Sequence, residues 1–199
     1  SGSLWCWGGN NYGQLGIGST TDYSIPQLVD LGVGRSAVSV SLGYSFTCAI
    51  LDDGSLKCWG WNNYGKLGYS GGTAYTPVTV DLGVGRSAVS VSLGNNHACA
   101  VLDDGSVKCW GQPSGGRLGG PLIDTSTPIR FVALPVGSIA TSVSLGEEHS
   151  CAILDNGSLY CWGIGLEGCL GINSELSFET PQYVNVGLGR TVTAVSLGH

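Results

Sequence analysis

The sequence predicts an all-β fold: a β-propeller of four-stranded blades, with repeats of about 52 residues. Three observations predict it. One pattern recurs at a fixed period: Gly8, Gly60, Gly111 and Gly163 are 52, 51 and 52 residues apart, and Leu42, Leu93, Leu145 and Leu197 are 51, 52 and 52 apart. Short segments in each copy alternate small polar with apolar residues, the period of a strand. Three copies also carry two cysteines at one spacing, Cys48 with Cys58, Cys99 with Cys109 and Cys151 with Cys161. That spacing suits facing positions of a hairpin.

The chain reads as one propeller segment, 1–199, of just under four repeats. The units are 1–35, 36–86, 87–138 and 139–190, with 191–199 opening the next. In the unit beginning at Ser87, residues 87–93 alternate serine with apolar residues and form the first strand. Gly94-Asn95-Asn96 is a turn, residues 97–102 form a second strand and residues 106–110 a third. Asp103-Asp104-Gly105 is the hairpin loop between them. A glycine-rich stretch follows, and a Thr-Pro then opens a fourth strand, as at Thr76-Pro77, Thr127-Pro128 and Thr180-Pro181. Proline is tolerated at a strand's first residue or on an edge strand, so the fourth strand belongs at the outer rim. The serine-rich first strand, with the smallest side chains, suits the crowded centre.

The hairpin fixes the cysteine register. An Asp-Asp-Gly loop fits a type I turn followed by glycine in the left-handed region. Leu51 then faces Ser55, Ile50 faces Leu56, Ala49 faces Lys57 and Cys48 faces Cys58. With a hydrogen-bonded closing pair, the cysteines fall on a non-hydrogen-bonded pair with Cα atoms ~4.5 Å apart, within reach of a disulfide. The expectation is three bridges, against the alternative of facing reduced thiols. Cys6 occupies the Cys58 position without its partner strand, and Cys169 sits where the first repeat has Gln14. They are read as a truncated pair and a packed thiol; a Cys6–Cys169 bridge or a bond to a neighbouring chain is the alternative. The chain starts and stops inside a repeat, so it is read as a mature segment or an excerpt of a larger propeller.

Composition narrows the function classes. The 34 glycines recur at fixed positions and mark turns, and 42% apolar content is too high for a disordered segment. Net charge is −6, and only eight Lys and Arg are spread over the repeats. No basic face for nucleic acid can be assembled. No apolar run approaches the ~20 residues of a membrane span, which excludes insertion as a helix.

Candidate chemistry is sparse. Trp7, Trp59, Trp110 and Trp162 each follow the second cysteine and read as packing between blades. Trp61 does not recur and is a candidate contact for a sugar or a protein partner, against the reading of an isolated exposed aromatic. His97 and His149 occupy matching positions, spread around a ring rather than converging, so no metal site is expected and each is read as bonding the next strand. His199 matches Asn95 instead. The Asp-Asp pairs are turn residues. No nucleophilic triad and no phosphate-binding loop appear, so neither catalysis nor a cofactor is expected. Asn156-Gly157-Ser158 is an N-glycosylation sequon in a hairpin loop, where Asn-Gly is equally a turn dipeptide.

Residues 9–16 (Gly-Asn-Asn-Tyr-Gly-Gln-Leu-Gly) and 61–68 (Trp-Asn-Asn-Tyr-Gly-Lys-Leu-Gly), the Thr-Pro strands and Ser92-Leu93-Gly94-Asn95-Asn96-His97 resemble the regulator-of-chromosome-condensation repeat family. The resemblance implies a propeller of about 50-residue blades, usually seven, closed by a blade shared between the termini. Residues 112–119 and 164–169 depart from the motif, so those loops are expected to differ in shape. The family's namesake exchanges nucleotide on a small GTPase and docks on chromatin, a reduced-thiol setting that paired cysteines fit poorly. A plant ultraviolet receptor of the family uses Trp in a Gly-Trp-Arg-His-Thr context, a string absent here. The chain looks closer to cysteine-bearing repeats of extracellular proteins. The expected function is a secreted, non-catalytic structural or interaction module in a surface or filament protein, contacting proteins or further copies of itself. A secreted module with a defined protein or glycan target is the alternative, and an exchange factor or chromatin-binding propeller a distant one.

Overall fold

The computed structural model describes residues 2–120 and 129–198. In chain order, β1 (Trp5–Gly8) and β2 (Tyr23–Leu28) form a two-stranded antiparallel sheet. Three four-stranded antiparallel meanders follow. They are β3 (Ala37–Gly43), β4 (Phe46–Leu51), β5 (Leu56–Gly60) and β6 (Ala74–Thr79); then β7 (Ala88–Leu93), β8 (His97–Leu102), β9 (Val107–Gly111) and β10 (Ile129–Phe131); then β11 (Ala140–Leu145), β12 (His149–Leu154), β13 (Leu159–Gly163) and β14 (Phe178–Val184). The fold is the propeller that the period predicts.

The serine-rich strands are the inner ones: β3 packs on β7, and β7 on β11. Their serines are small enough for this approach, and they bond across it. Leu145 N–H donates to Ser92 Oγ at 3.0 Å, and Leu197 N–H to Ser144 Oγ at 3.3 Å. The second strands β4, β8 and β12 are buried along their whole length. Apolar residues on both faces of these strands therefore form the core, which lies between blades as well as within them. The proline strands β6 and β14 are at the sheet edges, as expected, but they begin before the Thr-Pro, at Ala74 and Phe178. Proline's missing N–H faces no ladder partner there. Thr127 and Pro128 lie outside the described residues, as does His199.

The hairpin pairing matches the turn argument. Cys48 faces Cys58, Ala49 faces Lys57 and Ile50 faces Leu56, and Leu51 N–H donates to Ser55 O at 2.9 Å. Gly54 has φ +76°, the left-handed conformation the turn demands, and Asp53 Oδ1 accepts from Ser55 N–H at 3.0 Å.

The glycine-rich loops differ from expectation. Asn63–Gly65, Ser114–Gly116 and Leu166–Gly168 form the same short 3-10 turn, so units three and four keep its local shape. What they lose is a side-chain clamp. Asn10 Nδ2 donates to Ser19 O (2.8 Å) and Thr21 O (3.0 Å), while its Oδ1 accepts from Leu15 N–H (3.0 Å). Asn62 repeats this with Tyr69 O, Gly71 O and Leu67 N–H. Pro113 and Gly165 hold the aligned positions and have no side-chain amide to do so.

Candidate functional site

Each complete blade carries one disulfide in the middle of its central hairpin. Sγ–Sγ is 2.08 Å for Cys48–Cys58, 2.01 Å for Cys99–Cys109 and 1.99 Å for Cys151–Cys161, with Cα–Cα 4.1 Å in each. All six sulfurs belong to buried residues. The bridges brace each blade from inside and touch no solvent-facing surface. Cys6 is half-buried and Cys169 exposed, and neither is bonded to another cysteine of the chain. Cys169 Sγ lies 3.1 Å from Ile164 O. Burial pushes both thiols above the ordinary cysteine range.

Successive blades are joined by a bond that the sequence reading missed. Trp59 Nε1–H donates to Gln14 O (3.0 Å), Trp110 Nε1–H to Lys66 O (3.0 Å) and Trp162 Nε1–H to Arg117 O (2.9 Å). These three indoles bury their area between blades, as read from sequence, and also spend their one donor on the preceding blade's loop; Trp7, read in the same way, is instead 60% exposed. A glycine two residues after each acceptor makes room: a Cβ on Gly16 would lie 2.5 Å from Trp59 Nε1. The signal was present in the x-Leu-Gly that follows each loop by a fixed interval. We expect Trp110→Phe to cost about 1–2 kcal/mol, because Lys66 O is left buried without its donor. The urea midpoint should fall by that amount at unchanged m-value.

One face carries the loops that follow the third strands and the turns that follow the inner strands. It surrounds an open depression lined by Leu42, Leu93, Leu145 and Leu197 and by Tyr44, Trp61 and Tyr64. Trp61, singled out as a partner contact, stacks on Tyr12 with centroids 4.8 Å apart. Lys66 Nζ lies 4.5 Å from the Trp61 centroid and donates to Tyr44 O (3.0 Å) and Asn95 O (3.3 Å). Burial pushes the Lys66 ammonium down to about 8. Trp61 is therefore held within a cluster, while Tyr44 and Tyr64 present the exposed rings. Tyr64 has φ +61°, a conformation uncommon for a non-glycine residue.

The opposite face carries the central hairpin tips and the loops that lead into each inner strand. Arg35 pairs with Asp53 at 2.8 Å and Arg86 with Asp104 at 3.0 Å, so the aspartate pairs serve the turns and these exposed ion pairs. Asn156 is exposed at its hairpin tip, and its Oδ1 accepts from Ser158 N–H at 2.9 Å. Each inter-blade loop ends in a tight turn, closed for example by Arg35 N–H donating to Gly32 O. At these tips Val33, Val84, Val136 and Leu188 are fully exposed. They were not singled out from sequence, although an aliphatic residue recurs there in every repeat.

His97 and His149 belong to the core. His97 Nε2 lies 2.9 Å from Ser150 Oγ on β12, so its partner belongs to the next blade rather than to the next strand β9, and its Nδ1 is buried without a partner. Burial, with Arg117 and His149 adding, pushes His97 down to about 3, and burial lowers His149 too. Among the described residues no three His, Cys, Asp or Glu converge on a metal position. No helix among them is long and apolar enough to cross a membrane.

The profile of the Regulator of chromosome condensation (RCC1) repeat matches residues 1–50, 53–101 and 156–199, and a second profile of that repeat matches 37–66, 88–117 and 140–169. The ultraviolet-B receptor UVR8 of Arabidopsis thaliana is 33% identical over 199 residues, covering 99% of this chain and 45% of the receptor. The E3 ubiquitin-protein ligase HERC2 of Homo sapiens is 30% identical over 201 residues, covering all of this chain and 4% of the ligase. The chain thus spans under half the length of the first relative and a small fraction of the second. Among solved structures, human WBSCR16 superposes with TM-score 0.84 at 24% identity, covering 99% of this chain and 51% of that one. Prp20p of Saccharomyces cerevisiae, described with its binding to Gsp1p and histones, superposes with TM-score 0.82 at 22% identity, covering 98% and 50%. At those identities the structures share the fold.

Proposed function

The chain belongs to the regulator of chromosome condensation (RCC1) repeat family, and from that premise we propose that it is an extracellular, non-catalytic interaction module, a disulfide-braced platform within a surface or filament protein. The observation that carries the reading is the bridge repeated at one register in every complete blade. Disulfides persist in oxidising compartments and are rare where glutathione keeps thiols reduced. Scarce charge and a rigid all-β body suit a scaffold. Intact cells treated with a membrane-impermeant amine-reactive biotin test it, through the lysines. The protein should be labelled before lysis; labelling only after lysis would contradict the reading. Loss of mass on enzymatic deglycosylation, abolished by Asn156→Gln, is expected in a eukaryotic secretory route.

A secreted binding module with a defined target is the second reading, favoured by the recurring apolar tips. Such side chains, fully exposed at the loop tips, gain nothing from folding, which supports contact with another surface as their use. Replacing Val33, Val84, Val136 and Leu188 together by Ser should leave stability within about 0.5 kcal/mol per site. Retention of a cross-linked surface partner should be lost. Unchanged retention would leave the scaffold reading alone. An intracellular exchange factor or chromatin-binding role is the reading that buried bridges favour least, although Prp20p is described with binding to Gsp1p and histones.

A further inference from the structure

We propose that the exposed rings beside Trp61, those of Tyr44 and Tyr64, form with the amides of Asn95 and Asn96 a binding site for a neutral saccharide chain. The proposal deepens the binding-module reading and rests on it for the setting in which a saccharide is met, not for the chemistry. Tyr64 supplies the first ground. Its φ of +61° costs a residue with a Cβ free energy that glycine escapes. The aligned residue of the next repeat is Gly115, with φ +71°. Glycine would therefore serve this loop, yet a tyrosine that is 53% exposed stands there. Tyr44, on the turn between β3 and β4, is 65% exposed. Two bonds tie that turn to the loop of Trp61 and Tyr64. Trp61 N–H donates to Ser45 O at 2.9 Å, and Lys66 Nζ donates to Tyr44 O at 3.0 Å. Both tyrosines line one depression and are positioned before any ligand arrives. Tyr44, Tyr64, Asn95 and Asn96 come from two complete blades, so the site draws on neither end of the chain.

The polar groups specify the ligand. Asn95 Nδ2 donates to Glu147 Oε1 at 2.9 Å, which leaves Asn95 Oδ1 as an acceptor. Asn96 Oδ1 accepts from Lys66 Nζ at 3.4 Å, which leaves Asn96 Nδ2 as a donor. Both residues line the same depression as the rings. An acceptor and a donor on neighbouring residues match the hydroxyls of a sugar, and an exposed aromatic face matches the C–H face of its ring. The site offers no cation to an anion. Lys66 is fully buried, and its ammonium is committed to Tyr44 O, Asn95 O and Asn96 Oδ1. Arg117, at the aligned position of the next repeat, is 4% exposed and pairs with Glu148 at 2.6 Å. Glu147 adds an exposed carboxylate to the lining. The site therefore favours neutral sugars over uronic or sulfated ones. Trp61 stacks on Tyr12 and lies beneath Lys66, so it supports the site rather than receiving the sugar.

The test titrates the folded chain with neutral hexaoses of glucose, xylose, mannose and N-acetylglucosamine, and with the hexaose of galacturonic acid as the anionic counterpart. Saturation-transfer NMR detects contact, and calorimetry gives the affinity. At least one neutral hexaose is expected to bind, at least tenfold more tightly than the uronic one. Tyr44→Ala and Tyr64→Gly should each weaken that binding at least tenfold. Tyr64→Gly should also keep or raise the urea midpoint, because it removes the strained φ. Tyr183→Ala, which removes an exposed ring from β14, should leave the affinity unchanged. Any of four results would overturn the proposal: no contact with any neutral hexaose, equal affinity for the uronic hexaose, parent affinity in either site variant, or an equal loss in Tyr183→Ala. A fall in the midpoint of Tyr64→Gly would make Tyr64 a structural residue and overturn its assignment. Surface labelling of cells reports location alone, so either result can fail without the other.

Discussion

Replacing one bridge, by Cys99→Ala with Cys109→Ala, is expected to lower the unfolding free energy by about 3 kcal/mol. Each bridge closes a short loop, with a sequence separation of 10. In the chain-entropy description such a loop removes about 9 cal/mol/K from the unfolded chain, which gives that figure at room temperature. Both cysteines are fully buried in β8 and β9, so the packing lost with the sulfurs adds to the same side. Chemical reduction of all three bridges should therefore have the largest effect of any single treatment. The urea m-value should rise as the midpoint falls, because an unfolded chain without its cross-links exposes more surface. An unmoved midpoint after verified reduction would mean that the hairpins hold without their bridges.

Acid is the second large effect. His97 is buried, and its folded value is about 3 against an ordinary 6.5. Below pH 6.5 the unfolded chain binds a proton that the folded chain refuses. The contribution is thus fully present above pH 6.5 and is lost as pH falls towards 3, with a slope of up to about 1.4 kcal/mol per pH unit. Phe46 fills the matching position of the preceding blade, so His97→Phe is a substitution the fold already accommodates. The variant should lose most of the slope between pH 6.5 and 4 while its stability at pH 7.5 stays within about 1.5 kcal/mol of the parent. His149, also lowered by burial, accounts for the slope that remains. Identical slopes in parent and variant would place the acid sensitivity elsewhere.

The blade was legible because its constraints are local. A period-2 pattern, a three-residue turn with glycine and two cysteines ten apart leave one register, and β4 and β5 adopt it. The inner position of β3, β7 and β11 followed from serine size. The Trp–carbonyl bonds between blades were not read from the sequence, because the acceptor is a backbone atom marked only by the Leu-Gly that follows it. Trp59 reaches Gln14 O across 45 residues, and the residue offering that carbonyl is Gln, Lys or Arg by turns. Trp61 shows the converse. As an isolated aromatic it invited a contact role, yet its neighbours Tyr12 and Lys66 come from different loops and meet only in the fold. The exposed tips Val33, Val84, Val136 and Leu188 were visible as a repeat, but only burial separates a tip from a core position.

The measurement that bears most directly on a braced module of an oxidising compartment is a disulfide map of the protein from its native source, with free thiols blocked at lysis. The account predicts three cross-linked peptide pairs, joining Cys48 to Cys58, Cys99 to Cys109 and Cys151 to Cys161. Recovery of those six residues as blocked thiols would contradict it.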